Sequence, residues 1–337
     1  MLHNSIVMET ILYVATSDGV LTFFREVGTK GWRLIGSGLQ GIDVKCLAID
    51  PADKSRAYAG GSNGTVYLGD SKGSSWSEVG KLEGKVYCLA TTLIDENTHV
   101  YAGIEPAKLF LSLDNCKSWH ELKSLQNIPS AKEWYSPWGP ADLSTIVFNP
   151  KDIRSMYVGI EVGGVLKSND EGANWKEISN GLHKDIHCLA VNYYNPKIIF
   201  AATGGGIYRT VSAGELWVDV GKSIDLKYAV SVAIHPAKPN ITYLAIAMGP
   251  PGNQALLYKS EDYGDNWNLL HNGLPYPMLK GIRRRALVVN PAAPAEVYVG
   301  TSDGVAFYSP NEGMKWDSIV NAPATINALA CLSLASS

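Results

Sequence analysis

Short apolar runs, each cut off by Gly, Pro, Asn or Asp, recur along the whole chain, with no heptad pattern and no long helical stripe. The runs fall into a repeating order. An apolar segment comes first, often closed by Asn-Pro or Asp-Pro: KCLAIDP, YCLATTL, STIVFNP, HCLAVNYYNP, VSVAIHP, RALVVNP. An aromatic-small-Gly segment follows: YVATSDG, YAGGSNG, YAGIEPA, YVGIEVGG, FAATGGG, YLAIAMG, YVGTSDG. A third segment such as GTVYLGD or GVLKSND runs into a turn, and a fourth begins with Trp. These tryptophans, Trp32, Trp76, Trp119, Trp175, Trp217, Trp267 and Trp316, are 44, 43, 56, 42, 50 and 49 residues apart. Segments of this length and composition are strands, four to a repeat.

A four-stranded unit of roughly 40–50 residues is the size of a propeller blade, and closing such units into a ring removes exposed sheet edges. The sequence therefore predicts an all-β fold, a single seven-bladed β-propeller. Its first blade joins 11–36 to the C-terminal strand 326–334, which latches the ring. The others span 44–80, 86–123, 143–179, 186–221, 229–271 and 284–320.

The turn before each Trp carries a resemblance. Ser168-Asn169-Asp170-Glu171-Gly172-Ala173-Asn174-Trp175 and Ser260-Glu261-Asp262-Tyr263-Gly264-Asp265-Asn266-Trp267 both read S-x-D-x-G-x-x-W. Ser112, Asp114 and Trp119 keep the pattern with Cys116 for Gly, and Ser309, Asn311, Gly313 and Trp316 keep it with Asn for Asp. This resembles the Asp-box, or BNR repeat, of sialidase-like, sortilin-type and photosystem-assembly propellers. The resemblance implies turns on the face away from the binding site, where Asp and Ser bond backbone N–H groups and Gly takes positive φ. It also implies a choice between glycoside hydrolase and recognition module. A typical sialidase is not implied: no Phe-Arg-Ile-Pro start and no Tyr-Glu nucleophile pair can be mapped.

Composition narrows the choice. The 337 residues hold 29 Lys+Arg against 32 Asp+Glu, a net charge of -3, which argues against binding nucleic acid by bulk phosphate neutralisation. No apolar run approaches the roughly 18 residues of a membrane span. The first residues lack a basic region and carry Glu9, so a cytoplasmic protein is expected. Five cysteines, with no close-spaced pair, read as small buried hydrophobes. No P-loop, Rossmann fingerprint, GxSxG elbow or HExxH is present; no cofactor is expected, and His183, Asp185 and His187 match no strong metal pattern.

Candidate chemistry gathers where the first strands begin. Aligned on their apolar cores, they give a column Lys45, Tyr87, Ser144, His187, Val230, Arg285 and Asn327. Two residues earlier lie Asp43, Lys85, Asp142, Asp185, Tyr228, Arg283 and Thr325. Period-two alternation turns both columns toward a central space and the residues between into the layer between blades, where Arg284 is expected to pack or to pair with an acid. The loops between second and third strands add Glu105 and Glu161, acids at matching positions in adjacent blades. The spacing of 56 holds an insertion, 130–140, whose Trp134, Tyr135 and Trp138 resemble a stacking platform. A further mouth loop, 275–282, leads into the three arginines.

The leading expectation is a monomeric recognition propeller binding a polar or anionic ligand, glycan or protein. Its ligand would meet Arg283, Arg285, His187, Trp134, Tyr135, Trp138, Lys45 and Tyr87. The alternative is a glycoside hydrolase-like enzyme with Glu105, Glu161, Asp142 or Asp185 as acid and base.

Overall fold

The computed structural model describes residues 8–26, 29, 31–277 and 279–335. Met278, in the loop before the arginines, lies outside them. The fold is all-β apart from two short 3-10 turns, Lys123–Asn127 and Pro129–Glu133. Its units are four-stranded antiparallel sheets, as the repeat predicts. Val44–Ile49, Ala57–Gly61, Thr65–Asp70 and Ser75–Lys81 pair in sequence order, and the same meander is repeated from Lys85, Leu143 and Ile186. Tyr228–Ile234 and Leu279–Val289 open two more. In the last unit the C-terminal strand Ile326–Ala335 pairs antiparallel with Met8–Thr16, which continues into Gly19–Glu26 and Arg33–Gly38. Leu279–Val289 also bonds Asn253–Ser260 and, at Arg285, runs parallel to Ala328 of the C-terminal strand. It begins five residues before the predicted 284.

The repeat's sequence explains how the sheets stack. The aromatic of each second strand (Tyr13, Tyr58, Tyr101, Tyr157, Phe200, Tyr243, Tyr298) is fully buried. Two residues on, a glycine in four of the sheets and an alanine in the other three leaves space for the neighbouring sheet. A Cβ on Gly60 would lie 2.5 Å from Val86, one on Gly159 2.5 Å from Ile186 and one on Gly300 2.5 Å from Ile326. Each first strand therefore packs against the next, in the order Val44–Ile49, Lys85–Ile94, Leu143–Asn149, Ile186–Val191, Tyr228–Ile234, Leu279–Val289, Ile326–Ala335. The last of these in turn contacts Val44–Ile49.

The turns before the tryptophans have the hydrogen bonding their sequence implies. Asp170 accepts the backbone N–H of Asn174 and the Ser168 hydroxyl, each at 2.8 Å, while Gly172 N–H donates to Ser168 Oγ at 2.8 Å. Asp262 repeats these bonds with Asn266 and Ser260. Gly172 and Gly264 sit at φ of 91° and 90°, a region costly for side chains. Trp217 and Trp267 reach across to the preceding sheet, donating to the carbonyls of Ile178 at 2.7 Å and Val220 at 3.0 Å. At the unit joining the two ends of the chain, buried Glu296 pairs with Arg25 and accepts from Tyr298 at 2.7 Å and Asn290 at 2.9 Å. None of the five cysteines is disulfide-bonded; four are buried and Cys188 is half-buried. Among the described residues, no helix is long and apolar enough to cross a membrane.

Candidate functional site: a charged cavity at the start of the first strands

A break in strand register places the candidate residues. Near its start, each first strand holds residues with no partner on the second strand. Single residues are passed over at Lys45, Tyr87, Ser144, His187 and Val230. In the C-terminal strand the same happens at Asn327, against Met8–Thr16. Such a bulge breaks alternation and re-aims the side chain, so neighbouring residues can share one face. In Leu279–Val289 the disruption is larger: between Ile282↔Thr301 and Leu287↔Val299, four residues of the first strand oppose one of the second. Ile282, fully buried, takes the apolar place that alternation gave to Arg284. All three arginines then line the same space, which corrects the expectation that Arg284 turns away.

That space is a cavity of about 510 Å³. Both predicted columns contribute: Asp43, Lys85, Asp142, Tyr228, Arg283 and Thr325 from one, Lys45, Tyr87, Ser144, Arg285 and Asn327 from the other. Glu105 and Glu161 line it from their loops. Ser136, Trp138 and Pro140 reach it from the insertion. The insertion folds as a small hairpin, Tyr135–Ser136 against Gly139–Pro140, in which Trp138 N–H donates to Ser136 Oγ at 3.2 Å. Trp138, 82% exposed, stands at the rim, and Tyr135 is exposed outside the lining.

Besides Tyr135, three further predicted site residues lie outside the lining. Trp134 is buried among Leu125, Leu143 and Ile160 and anchors the insertion. His187 is buried, its Nδ1 donating to the Ala229 carbonyl at 2.6 Å, and the Tyr228 ring, 4.6 Å away, lies against it. Asp185 lies 3.3 Å from His187 Nε2 and against Gly204 rather than in the lining. Burial acts to raise its pKa, but His187 outweighs it and holds the carboxyl below its usual range. Tyr228 therefore fills the place at the cavity that Asp185 and His187 were expected to share. Tyr228 and Asp43 stand in the two columns with no role expected of them, and the columns are the signal for both; Lys85 lines the mouth as expected.

Four carboxylates and five cations line the cavity. Lys45 pairs with Asp43 at 2.6 Å and Lys85 with Glu105 at 2.9 Å. Arg284 holds two acids at once, Asp142 at 3.0 Å and Glu161 at 2.8 Å. Glu161 N–H also donates to the Asp142 carbonyl at 3.0 Å, fixing the loop beside the strand. Asp142 is nearly inaccessible. Burial raises its carboxyl to about 6, opposed by Arg284 and assisted by Glu161. Arg283 donates to the Pro251 carbonyl at 2.6 Å and Arg285 to that of Ser144. Among the described residues, no group of three His, Cys, Asp or Glu side chains could hold a metal ion.

No protein-family profile matches the chain. One curated relative, the oligoxyloglucan-reducing end-specific xyloglucanase of Emericella nidulans, is 19% identical over 262 residues, covering 63% of this chain and 31% of its own length. A solved ancestral GH74 enzyme superposes with a TM-score of 0.63 at 17% identity, over 86% of this chain and 38% of the other. YCF48, solved with a bound D1 peptide, gives 0.56 at 15% identity, over 94% of this chain and 85% of the other. The fold is that of a β-propeller. The propeller spans about a third of the curated relative it matches, and at these identities the structural likeness speaks for the fold alone.

Proposed function

We propose that the protein is a carbohydrate-directed, glycoside hydrolase-like propeller whose ligand occupies the cavity beneath Trp138. The observation that carries this reading is the pair of carboxylates, Asp142 and Glu161, on one arginine in the wall of that cavity. A buried carboxyl that keeps its proton to about pH 6 is suited to donate it to a leaving oxygen. Glu161, held by Arg284, is the complementary base. The exposed indole of Trp138 offers a face for a sugar ring, and Tyr87, Tyr228 and Asn327 offer hydrogen bonds to hydroxyl groups. Similarity to a xyloglucan-cleaving enzyme supports the carbohydrate class, and it favours this reading over the recognition role expected first. In the same reading the sheets close into one seven-bladed ring, supported by the unbroken circuit of contacts between first strands.

The test is reducing-end release from a panel of neutral and acidic oligosaccharides. Asp142→Asn and Glu161→Gln should each lower turnover by roughly 100-fold or more, as removal of a general acid or base does, with binding retained. Cleavage unaffected by both substitutions would overturn the assignment of roles.

Recognition without cleavage is the second reading. It is favoured by one feature of the site: every lining carboxylate is already paired with a lysine or arginine. Oligosaccharide binding with no product from any member of the panel would select it.

A further inference from the structure

Of the five cations lining the cavity, Lys45, Lys85 and Arg284 form the ion pairs with its four carboxylates, and the lining as a whole carries one excess positive charge. Arg283 and Arg285 are the other two. Each is half-buried, and each hydrogen-bonds a backbone carbonyl, Pro251 for Arg283 and Ser144 for Arg285, which positions the head group without cancelling its charge. A guanidinium has five N–H donors, so one carbonyl leaves most of them unsatisfied. Among the described residues, neither Arg283 nor Arg285 has a carboxylate in direct contact: Asp43 acts on Arg283, and Asp142 on Arg285, only at longer range, so a partly desolvated guanidinium here still gains from an anion that touches it. The register break strengthens the point. Where the other first strands pass over a single residue, this one lays out consecutive arginines on the same cavity wall.

We propose that Arg283 and Arg285 form an anion subsite of this cavity, so that its carbohydrate ligand is an acidic sugar carrying a carboxylate or sulfate group. The proposal rests on the carbohydrate reading above and names its substrate class. Two guanidiniums suit such a group because each can bind two of its oxygens at once. A cavity of about 510 Å³ accommodates a sugar unit with this substituent while Trp138 covers the ring at the rim. Arg284, bound to Asp142 and Glu161, stays with the reacting end, so the three arginines divide between holding the acids and holding the ligand.

The test is calorimetric titration of the whole chain with four ligands of equal size: a neutral oligosaccharide, the same sugar bearing a uronate, the same sugar bearing a sulfate, and an acidic peptide. An acidic sugar should bind roughly tenfold or more tightly than the neutral one, in line with charge-assisted hydrogen bonds. Arg285→Ala and Arg283→Ala should each remove most of that preference, and Arg285→Lys should restore part of it. Should Arg285→Ala fail to fold, Arg283→Ala and the ratio of acidic to neutral sugar in the unaltered protein still decide. Equal binding of neutral and acidic sugars, or a preference untouched by both substitutions, overturns the anion subsite and leaves the carbohydrate reading standing. An acidic peptide that binds while none of the sugars does overturns both.

Discussion

The first strands line cavities at both ends, similar in size and opposite in character. Where the strands begin, about 510 Å³ is walled by charged and hydroxyl groups; where several of them end, about 440 Å³ is walled by Val147, Leu189, Val191, Ile234 and Val288. Volume does not separate a candidate site from a packing gap here. The difference lies in the register breaks, which recur in every first strand near the polar end and turn successive residues onto one wall, whereas near the apolar end the first strands show one, at Phe148 and Asn149. The acids divide in the same way. Asp142 and Glu161 are concentrated at the cavity, whereas Asp170 and Asp262, the most conspicuous acids of the repeat, cap exposed turns at the opposite strand ends.

Deleting 326–337 breaks the comparison most severely, because the strand from Ile326 runs from one end to the other. Its loss leaves Met8–Thr16 an open edge and strips Ser333 from the buried network around Glu296. The expected outcome is aggregation or loss of a cooperative melt; a monomeric, cooperatively melting truncation would contradict the proposed ring closure. Arg284→Ala comes next. It leaves buried Asp142 and half-buried Glu161 without their cation and should cost roughly 3 kcal/mol, read by urea unfolding.

Asp170→Ala and Asp262→Ala sharpen the contrast from the other side. Each loses turn hydrogen bonds and should cost about 1 kcal/mol, with ligand affinity unchanged by calorimetry. A loss of affinity without a change in melting temperature would mean the turns take part in binding.

Much of this was legible in the sequence because the repeat constrains it. The tryptophan spacing, the buried aromatic and the small residue two positions on, Gly or Ala, each answer to one physical need in every sheet, so periodicity exposed the strands and both columns. What alternation could not reveal is where it breaks. Arg284 was sent to the wrong face because three extra residues in its strand leave no trace in the hydrophobic pattern. Trp134 and Trp138, four residues apart in one insertion, look alike until folding buries one and exposes the other. His187 and Asp185 were lost to the site by a neighbour, Tyr228, whose ring lies against the histidine.

The two kinds of acid also differ in pH dependence. Burial raises the folded-state pKa of Asp142 to about 6, above the value near 4 of an unfolded chain. The folded state therefore holds this proton more tightly, and the group's contribution to stability is full below about pH 4 and fades as pH rises through about 6. Asp142→Asn should flatten that part of the stability profile. Asp170, held below its usual range first by Asn174, acts in the opposite sense: its contribution is lost as pH falls through its lowered pKa.

The central claim is that the charged cavity, and not the apolar one at the opposite end, receives a carbohydrate. A crystal structure of Glu161→Gln soaked with an acidic oligosaccharide tests it most directly. The account predicts a sugar ring against Trp138, its anionic group on Arg283 and Arg285, and a glycosidic oxygen within hydrogen-bond reach of Asp142. Sugar bound at the apolar end or on the outer sheet edges, with the charged cavity empty, would contradict it.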